Sequence, residues 1–296
     1  MKKRDGDTEA RRYGDKSLGV AASARPRVPL ITLLTDFGNS DYFAGAVKGA
    51  ILTINPDARI VDITHEIPPH DIEQAAFTLF AVCSAFPPGT IHVAVVDPGV
   101  GSARRNILVR CRQQYFVGPD NGIFSYVCDG AAEKAEVFHL SNTAYFRQPV
   151  SQTFNGRDVF APVAAVLSIG TEPGKLGTKI TDYVRLPSIT PEVSPNGEIK
   201  GRIIHIDRFG NCVTNISPSE LSAEMIAAGA RLRVRGKVVK SFRSFFAEKK
   251  GTRDEIFCIW GSAGFLEIAA ANKSAAKLLK VNRGDSVVVS TKNLRR

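Results

Sequence analysis

The sequence predicts an α/β fold: an N-terminal doubly wound, mainly parallel sheet with helices on both faces, followed by a smaller C-terminal β-barrel domain. Three observations support this prediction. Between residues 28 and 186, apolar β-branched runs alternate with segments of helical spacing. Residues 187–198 are rich in proline and are typical of a linker. From residue 199 to residue 296, short strands separated by turn signals dominate, with only one or two short helices.

The N-terminal domain is predicted to alternate strands and helices along residues 28–186. Asp71 is expected to cap the second helix, because a carboxylate accepts hydrogen bonds from free N–H groups of a first helical turn. The fourth and fifth strands are close enough in sequence to form a hairpin. The predicted strands are 29–35, 59–64, 91–96, 107–111, 115–117 and 136–139, and the predicted helices are 42–53, 71–86, 121–127 and 159–169.

The C-terminal domain is predicted to consist mainly of strands. Its apolar runs are short, and glycine, asparagine or charged pairs separate them, as in small barrels. The predicted strands are 199–207, 212–216, 231–234, 237–242, 255–260, 266–270 and 286–290.

The chain carries a net charge of +10, part of which lies in the first 27 residues, with eight basic and four acidic side chains. We predict that residues 1–27 form a disordered basic tail. The remaining chain has no Lys/Arg stripe with interleaved aromatic residues and no zinc-finger or RNP motif. A nucleic-acid-associated protein therefore remains only a minor alternative, and we expect the charge to favour solubility and to attract anionic species.

The five cysteines are widely spaced and form no CxxC pair. This pattern favours reduced thiols in a cytoplasmic protein over a disulfide framework or a zinc site. Residues 1–27 lack the apolar core of a secretory signal, and no apolar run is long enough to cross a membrane. We therefore expect a cytoplasmic protein with no membrane association and no bound metal.

Asp97 is the first candidate catalytic residue. It follows a buried-strand pattern, and Pro98, Gly99 and Gly101 then favour a tight turn that brings Arg104 back towards it. Ligands of open α/β sheets bind beyond the carboxyl ends of the strands, where this acid is expected. On these residues alone, a turn-capping carboxylate and a solvated arginine explain the motif equally well.

Three further polar segments lie at ends of predicted elements. Asp36 ends the first strand and has the two acceptor oxygens that a ribose diol requires, although a turn cap is an equal alternative. Residues 153–158 enter a helix N-terminus, a common place for ligand contacts, and Asp158 also suits a helix cap. In the segment 207–211, Phe209 could stack on a base and Asn211 could bind an adenine edge, but a simple hairpin turn is the favoured interpretation of that segment alone.

Several catalytic motifs are absent or incomplete. Residues 99–104 have only two glycines of the dinucleotide-binding fingerprint, and no P-loop occurs. The two histidines of residues 65–70 are separated by two prolines and cannot form the zinc-binding helix motif. Residues 261–264 lack the spacing of a hydrolase nucleophile elbow.

Taken together and in order, the motifs resemble one family, the S-adenosyl-L-methionine (SAM) hydroxide adenosyltransferases, which are adenosine-forming SAM hydrolases related to fluorinating and chlorinating enzymes. The resemblance extends roughly from residue 30 to residue 289. It rests on TDFG (35–38), DITHEIPPHDI (62–72), VAVVDPGVGSARR (93–105), GPDNG (118–122), TFNGRD (153–158), IDRFGN (206–211) and WGSAGFLEIA (260–269).

The resemblance implies a homotrimer that binds SAM between the N-terminal domain of one subunit and the C-terminal domain of a neighbour. It implies no cofactor, because SAM is the substrate, and no metal, because the neutral methionine leaving group needs none to activate it. The family's reactive triad is Asp, Arg and His, and Asn155 stands at the third position. By position, the implied catalytic residues are Asp97, Arg104 and Asn155. The implied substrate contacts are Asp36 with the ribose, Phe209 and Asn211 with the adenine, and Asp207 and Ser262 with the methionine end. Phe154 is a further implied substrate-binding residue.

The implied reaction is attack of water or hydroxide on C5′ of the SAM ribose, which releases adenosine and L-methionine. Two alternatives remain open. Asn155 cannot act as a base near neutral pH, although it can position a water, so the protein could bind SAM or adenosine with little turnover. A SAM-dependent halogenase is less favoured, because the carboxylate of Asp97 would repel a halide and the family's halogenases lack that acid. The short connection at residues 111–114 also lacks the insertion of the fluorinating relatives.

Overall fold

The computed structural model describes residues 30–129, 134–248 and 256–290. The N-terminal part contains seven strands in one sheet, together with five α-helices, a 3₁₀ turn at Thr143–Tyr145 and a π-helical turn at Gly156–Phe160. The strands are β1 (Leu30–Thr35), β2 (Arg59–Thr64), β3 (Ile91–Val95), β4 (Asn106–Cys111), β5 (Gln114–Pro119), β6 (Glu136–Leu140) and β7 (Gly177–Ile180). The helices are α1 (Phe43–Ile54), α2 (Ile72–Cys83), α3 (Ser125–Cys128), α4 (Ala161–Ser168) and α5 (Pro173–Leu176).

The sheet of the N-terminal part has the order β2-β1-β3-β5-β4-β6-β7. Its first four strands are parallel, β4 inserts antiparallel between β5 and β6, and β7 closes the far edge antiparallel to β6. Helices α1 and α4 pack on one face with Ile31 and Leu33, whereas α2 and α3 pack on the other face with Leu34. Alternate β1 side chains therefore fill the two cores, as the period of a strand requires.

The C-terminal part forms a second sheet with the order β12-β11-β16-β9-β10-β15-β14-β13, and β8 pairs with β9. It encloses one apolar core, and β12 lies close to β14, so the sheet curls into a partly closed barrel. The strands are β8 (Glu192–Val193), β9 (Ile199–Ile206), β10 (Cys212–Thr214), β11 (Arg231–Val234), β12 (Lys237–Val239), β13 (Phe242–Arg243), β14 (Ile256–Trp260), β15 (Leu266–Ala270) and β16 (Ser286–Ser290), and the helices are α6 (Ala223–Ala227) and α7 (Ala275–Leu279).

Helix α2 joins the two parts of the chain. Phe77 on α2 packs against Phe265, with ring centroids 6.3 Å apart, in a buried cluster shared by both parts. Ion pairs flank this cluster, from Arg283 to Asp71 at 2.6 Å and from Arg202 to Glu73 at 2.7 Å. Asp71 also caps α2 by accepting the N–H of Gln74 at 3.0 Å, as predicted.

The fold class is confirmed, and a few predicted elements differ. Helix α2 ends at Cys83 rather than at residue 86, because Pro87 and Pro88 disfavour helical backbone just before them. The edge strand β7 was missed, since it has few apolar side chains, and the proposed linker contains β8. The predicted tail, residues 1–27, lies outside the described residues, and the domain boundaries at residues 186 and 199 remain predictions. Within the described ranges, no helix is long and apolar enough to cross a bilayer.

Candidate active site

Asp36 and Asp97 follow two neighbouring parallel strands at the same edge of the sheet. Thr35, the last residue of β1, is in register with Val95, the last residue of β3, so each acid lies just beyond a carboxyl end. Asp36 accepts a hydrogen bond from the backbone N–H of His70 at 2.9 Å. This arrangement is the one expected for a ligand site of an open α/β sheet.

Arg104 binds both carboxylate oxygens of Asp97. Two consecutive turns, closed by hydrogen bonds from Val100 N–H to Asp97 and from Ser102 N–H to Gly99, return the chain towards the acid. Arg104 Nε donates to Asp97 Oδ1 at 2.8 Å, and Nη2 donates to Oδ2. The two side chains are 10% and 5% exposed. Because the pair is bidentate and largely excluded from water, it is strong and geometrically well defined.

Gly101 allows this loop to lie against the neighbouring segment. Its φ of +78° is in the left-handed region, and a Cβ there would lie 2.7 Å from the carbonyl oxygen of Gln152. A side chain would therefore push the Asp97 loop away from the residues that precede Asn155.

Asn106, at the start of β4, connects the predicted catalytic residues. Its Oδ1 accepts from Arg104 Nη1 and, at 3.5 Å, from Asn155 Nδ2. The guanidinium of Arg104 also lies over the ring of Phe160, 5.7 Å from its centroid. The structure thus links Asp97, Arg104 and Asn155 through Asn106, a residue that sequence reasoning missed. The only local signal was a polar residue at the entrance of a strand, two positions after Arg104.

The segment around Asn155 is held by aromatic contacts and by a buried acid. Phe154 makes edge-on contacts with Phe37 and Phe43, with ring centroids 6.0 and 5.2 Å away. Asp158 accepts hydrogen bonds from the backbone N–H of Ser151 at 2.9 Å and from Nε and Nη2 of its neighbour Arg157 at 2.7 and 2.9 Å. Burial alone would raise the pKa of Asp158, but these hydrogen bonds lower it below its usual value.

Asp207, Phe209 and Asn211 lie together in the turn between β9 and β10. Asp207 Oδ1 accepts from the N–H groups of Phe209 and Asn211 at 2.9 and 2.8 Å, and Oδ2 accepts from Asn211 Nδ2 at 2.9 Å. The carboxylate therefore shapes this turn and leaves the Phe209 side chain 78% exposed. A large aromatic ring so exposed is available to a ligand or to another subunit.

Ser262 lies apart from this turn. It is exposed between β14 and β15, whereas pairing of Cys212 with Ile268 places the Phe209 turn at the opposite end of β15. Among the described residues, no hydrogen bond or ion pair joins the C-terminal set to Asp97, Arg104 or Asp36. In the part of the chain that the structure describes, no group of three or more His, Cys, Asp or Glu side chains has the arrangement of a metal site.

The fold and the site define a class of two-domain protein. Its N-terminal domain has a carboxylate–arginine ion pair at the carboxyl edge of a parallel sheet, and its C-terminal domain is a curled β-sheet. Two family models match this chain: the SAM hydroxide adenosyltransferase N-terminal domain over residues 31–177 and the corresponding C-terminal domain over residues 201–288. The chain belongs to the SAM hydroxide adenosyltransferase family.

Three known proteins illustrate the similarity. An (R)-S-adenosyl-L-methionine hydrolase of Methanocaldococcus jannaschii is 38% identical over 88% of this chain and 95% of its own length. A fluorinase of Actinoplanes is more distant, at 26% identity over 88% of this chain and 97% of its own. The crystal structure of an uncharacterized conserved protein from Thermotoga maritima superposes with a TM-score of 0.80 at 36% identity, covering 88% of this chain and 99% of that one.

Proposed function

We propose that this protein is an enzyme that hydrolyses SAM to adenosine and L-methionine. The observation that carries the proposal is the bidentate Asp97–Arg104 pair at the sheet edge, in a chain whose relative at 38% identity is named an (R)-S-adenosyl-L-methionine hydrolase. The sulfonium of SAM makes C5′ of the ribose electrophilic and leaves as a neutral thioether. In this proposal SAM is the substrate and no cofactor takes part.

In the proposed step, a water oxygen forms a bond to C5′ while the C5′–S electron pair passes to the methionine sulfur. Each Asp97 oxygen has a lone pair left after binding Arg104, so Asp97 orients the water and accepts its proton. Arg104 holds that carboxylate in one orientation and stabilises negative charge that develops on the oxygen. Most of the rate enhancement comes from holding the water in line with the C5′–S bond, because close and correctly oriented reactants lower the entropic part of the barrier.

We assign the remaining contacts as the resemblance implies. Asp36 binds the ribose diol, Phe209 and Asn211 contact the adenine, and Asp207 and Ser262 bind the methionine end. Phe154 is a further substrate-binding residue. We also propose a homotrimer whose sites lie between subunits, in the cytoplasm. The 78% exposure of Phe209 and the separation of its turn from Asp97 support a site completed by a neighbour. The five unpaired cysteines support a reducing compartment.

A SAM-binding protein with little turnover is the second candidate, and one observation favours it. Asn155 offers an amide where the family's triad has a base, so this position supplies a hydrogen-bonding group but no proton acceptor near neutral pH. Fluorination is less favoured, because a halide would meet the Asp97 carboxylate and the fluorinase is the more distant relative.

The test is incubation of the purified protein with SAM in ¹⁸O-labelled water, followed by chromatography and mass spectrometry. We expect label at O5′ of adenosine, and we expect Asp97→Ala to slow its formation by about 10²–10⁴-fold. The exposed Asp57 serves as a matched control, and Asp57→Ala should keep the parental rate. Intact SAM retained by the protein after long incubation would favour the binding protein instead. In chloride, 5′-chloro-5′-deoxyadenosine as the main product would overturn the hydrolase proposal.

A further inference from the structure

The side-chain amide of Asn106 has an orientation that chemistry determines. A guanidinium has donors only, so the Asn106 atom that faces Arg104 Nη1 must be the carbonyl oxygen. Asn155 faces this same oxygen, at 3.5 Å, and must therefore turn its NH₂ group towards it. The orientation of the Asn155 amide therefore follows from that of the Asn106 amide, and the positions of its nitrogen and oxygen are determined by the hydrogen bonds.

The free atom of Asn155 is consequently its carbonyl oxygen. Among the described residues, Asn155 Oδ1 has no hydrogen-bond partner, while Asn155 itself lies within the network of Asp97 and Arg104. We propose that Asn106 is a positioning residue, which fixes Asn155 as a hydrogen-bond acceptor for the nucleophilic water. The inference rests on the proposed hydrolysis and deepens it.

Two acceptors then hold one water. Its first hydrogen points to Asp97, which takes that proton as the oxygen bonds to C5′ and the C5′–S electron pair leaves with methionine. Its second hydrogen points to Asn155 Oδ1 and remains on the product as the O5′ hydroxyl. An amide suits this second position, because it need only accept a hydrogen bond and never a proton.

The kinetic test compares two substitutions of similar size. Asn106→Leu removes the acceptor, and we expect kcat to fall about tenfold or more with KM changed less than about threefold, because binding contacts remain. Asn106→Asp retains an acceptor towards both neighbours and should keep kcat within about fivefold of the parent. Equal kcat for the parent and Asn106→Leu would overturn the proposal, as would equal losses in both variants.

A double-substitution cycle separates positioning from general structural damage. If Asn106 acts through Asn155, the combined variant Asn106→Leu/Asn155→Ala should be no more than about twofold slower than Asn155→Ala alone. If the two residues acted independently, the fold-reduction in kcat of the combined variant would be the product of the two single reductions. Melting temperatures of all four proteins should be measured in parallel, and multiplied losses would overturn the proposal.

Neutron diffraction on deuterium-exchanged crystals tests the orientation without any turnover. We expect deuterons on the Asn155 atom that faces Asn106 and none on the Asn106 atom that faces Arg104 and Asn155. The opposite orientation would overturn the inference even in an active enzyme. If the parent releases no adenosine from SAM, the proposed function fails, while the neutron map still decides whether Asn106 orients Asn155.

Discussion

Gln74 on α2 and His205 on β9 share a hydrogen bond of 2.7 Å across the boundary between the two sheets. Gln74 Oε1 accepts from Arg283 Nη1 at 3.1 Å, so Nε2 must be the donor and His205 Nδ1 the acceptor. Neutral His205 therefore carries its proton on Nε2. Burial lowers the pKa of His205, which favours the same neutral form.

The amide of Gln74 is expected to stabilise the contact between the two parts of the chain. Gln74→Met keeps the length of the side chain but removes both the His205 and the Arg283 hydrogen bonds. We expect it to lower the free energy of unfolding by about 1–3 kcal/mol. Chemical denaturation at pH 7 measures the change, and an unaltered midpoint would mean that the contact contributes nothing to stability.

Acid should destabilise the fold through His92. Burial lowers the pKa of His92 from 6.5 to about 4, so between these pH values the unfolded chain binds a proton that the folded chain does not. The contribution of His92 to the free energy of unfolding is fully present above pH 6.5. It is lost as the pH drops towards 4, by at most about 3 kcal/mol. His92→Leu should flatten this part of the stability curve, while His205, whose pKa burial also lowers, continues to contribute in the same direction. A variant curve parallel to the parental one would exclude His92 as its source.

Arg104 should not be replaceable by lysine. An ammonium cannot donate two parallel hydrogen bonds to Asp97 and also reach Asn106. We expect Arg104→Lys to reduce the rate of adenosine formation about 10–100-fold. Arg59 is exposed on β2, and Arg59→Lys is the matched control that should retain full activity. If the two lysine variants were equally active, the bidentate geometry would be irrelevant to the reaction.

Asn155→His is expected to give equal or faster turnover. A histidine there would donate one ring N–H to Asn106 Oδ1, leaving the other nitrogen as an acceptor in the role we assign to Asn155 Oδ1. Near neutral pH that nitrogen could also accept a proton. Initial rates of adenosine release from SAM measure the effect. A clear fall in rate would show that the amide has a role that an imidazole cannot supply.

The sequence by itself determined the α/β class and the positions of the two strand-end acids. Apolar runs of period two and the turn residues that follow them are local signals, so Asp36 and Asp97 were recognisable before any contact was known. The turn residues after Asp97 also indicated Arg104, and the ordered motifs identified the family and, with it, the position of Asn155.

Only the tertiary structure decided which side chains meet. Asn106 and Asn155 are 49 residues apart, and Gln74 and His205 are 131 apart, so no spacing along the chain indicates either contact. Likewise, strand pairing alone places Ser262 and Phe209 at opposite ends of β15. The physical reason is that short-range periodicity determines which face of an element is buried, whereas register and packing between distant elements determine the partner of each polar group.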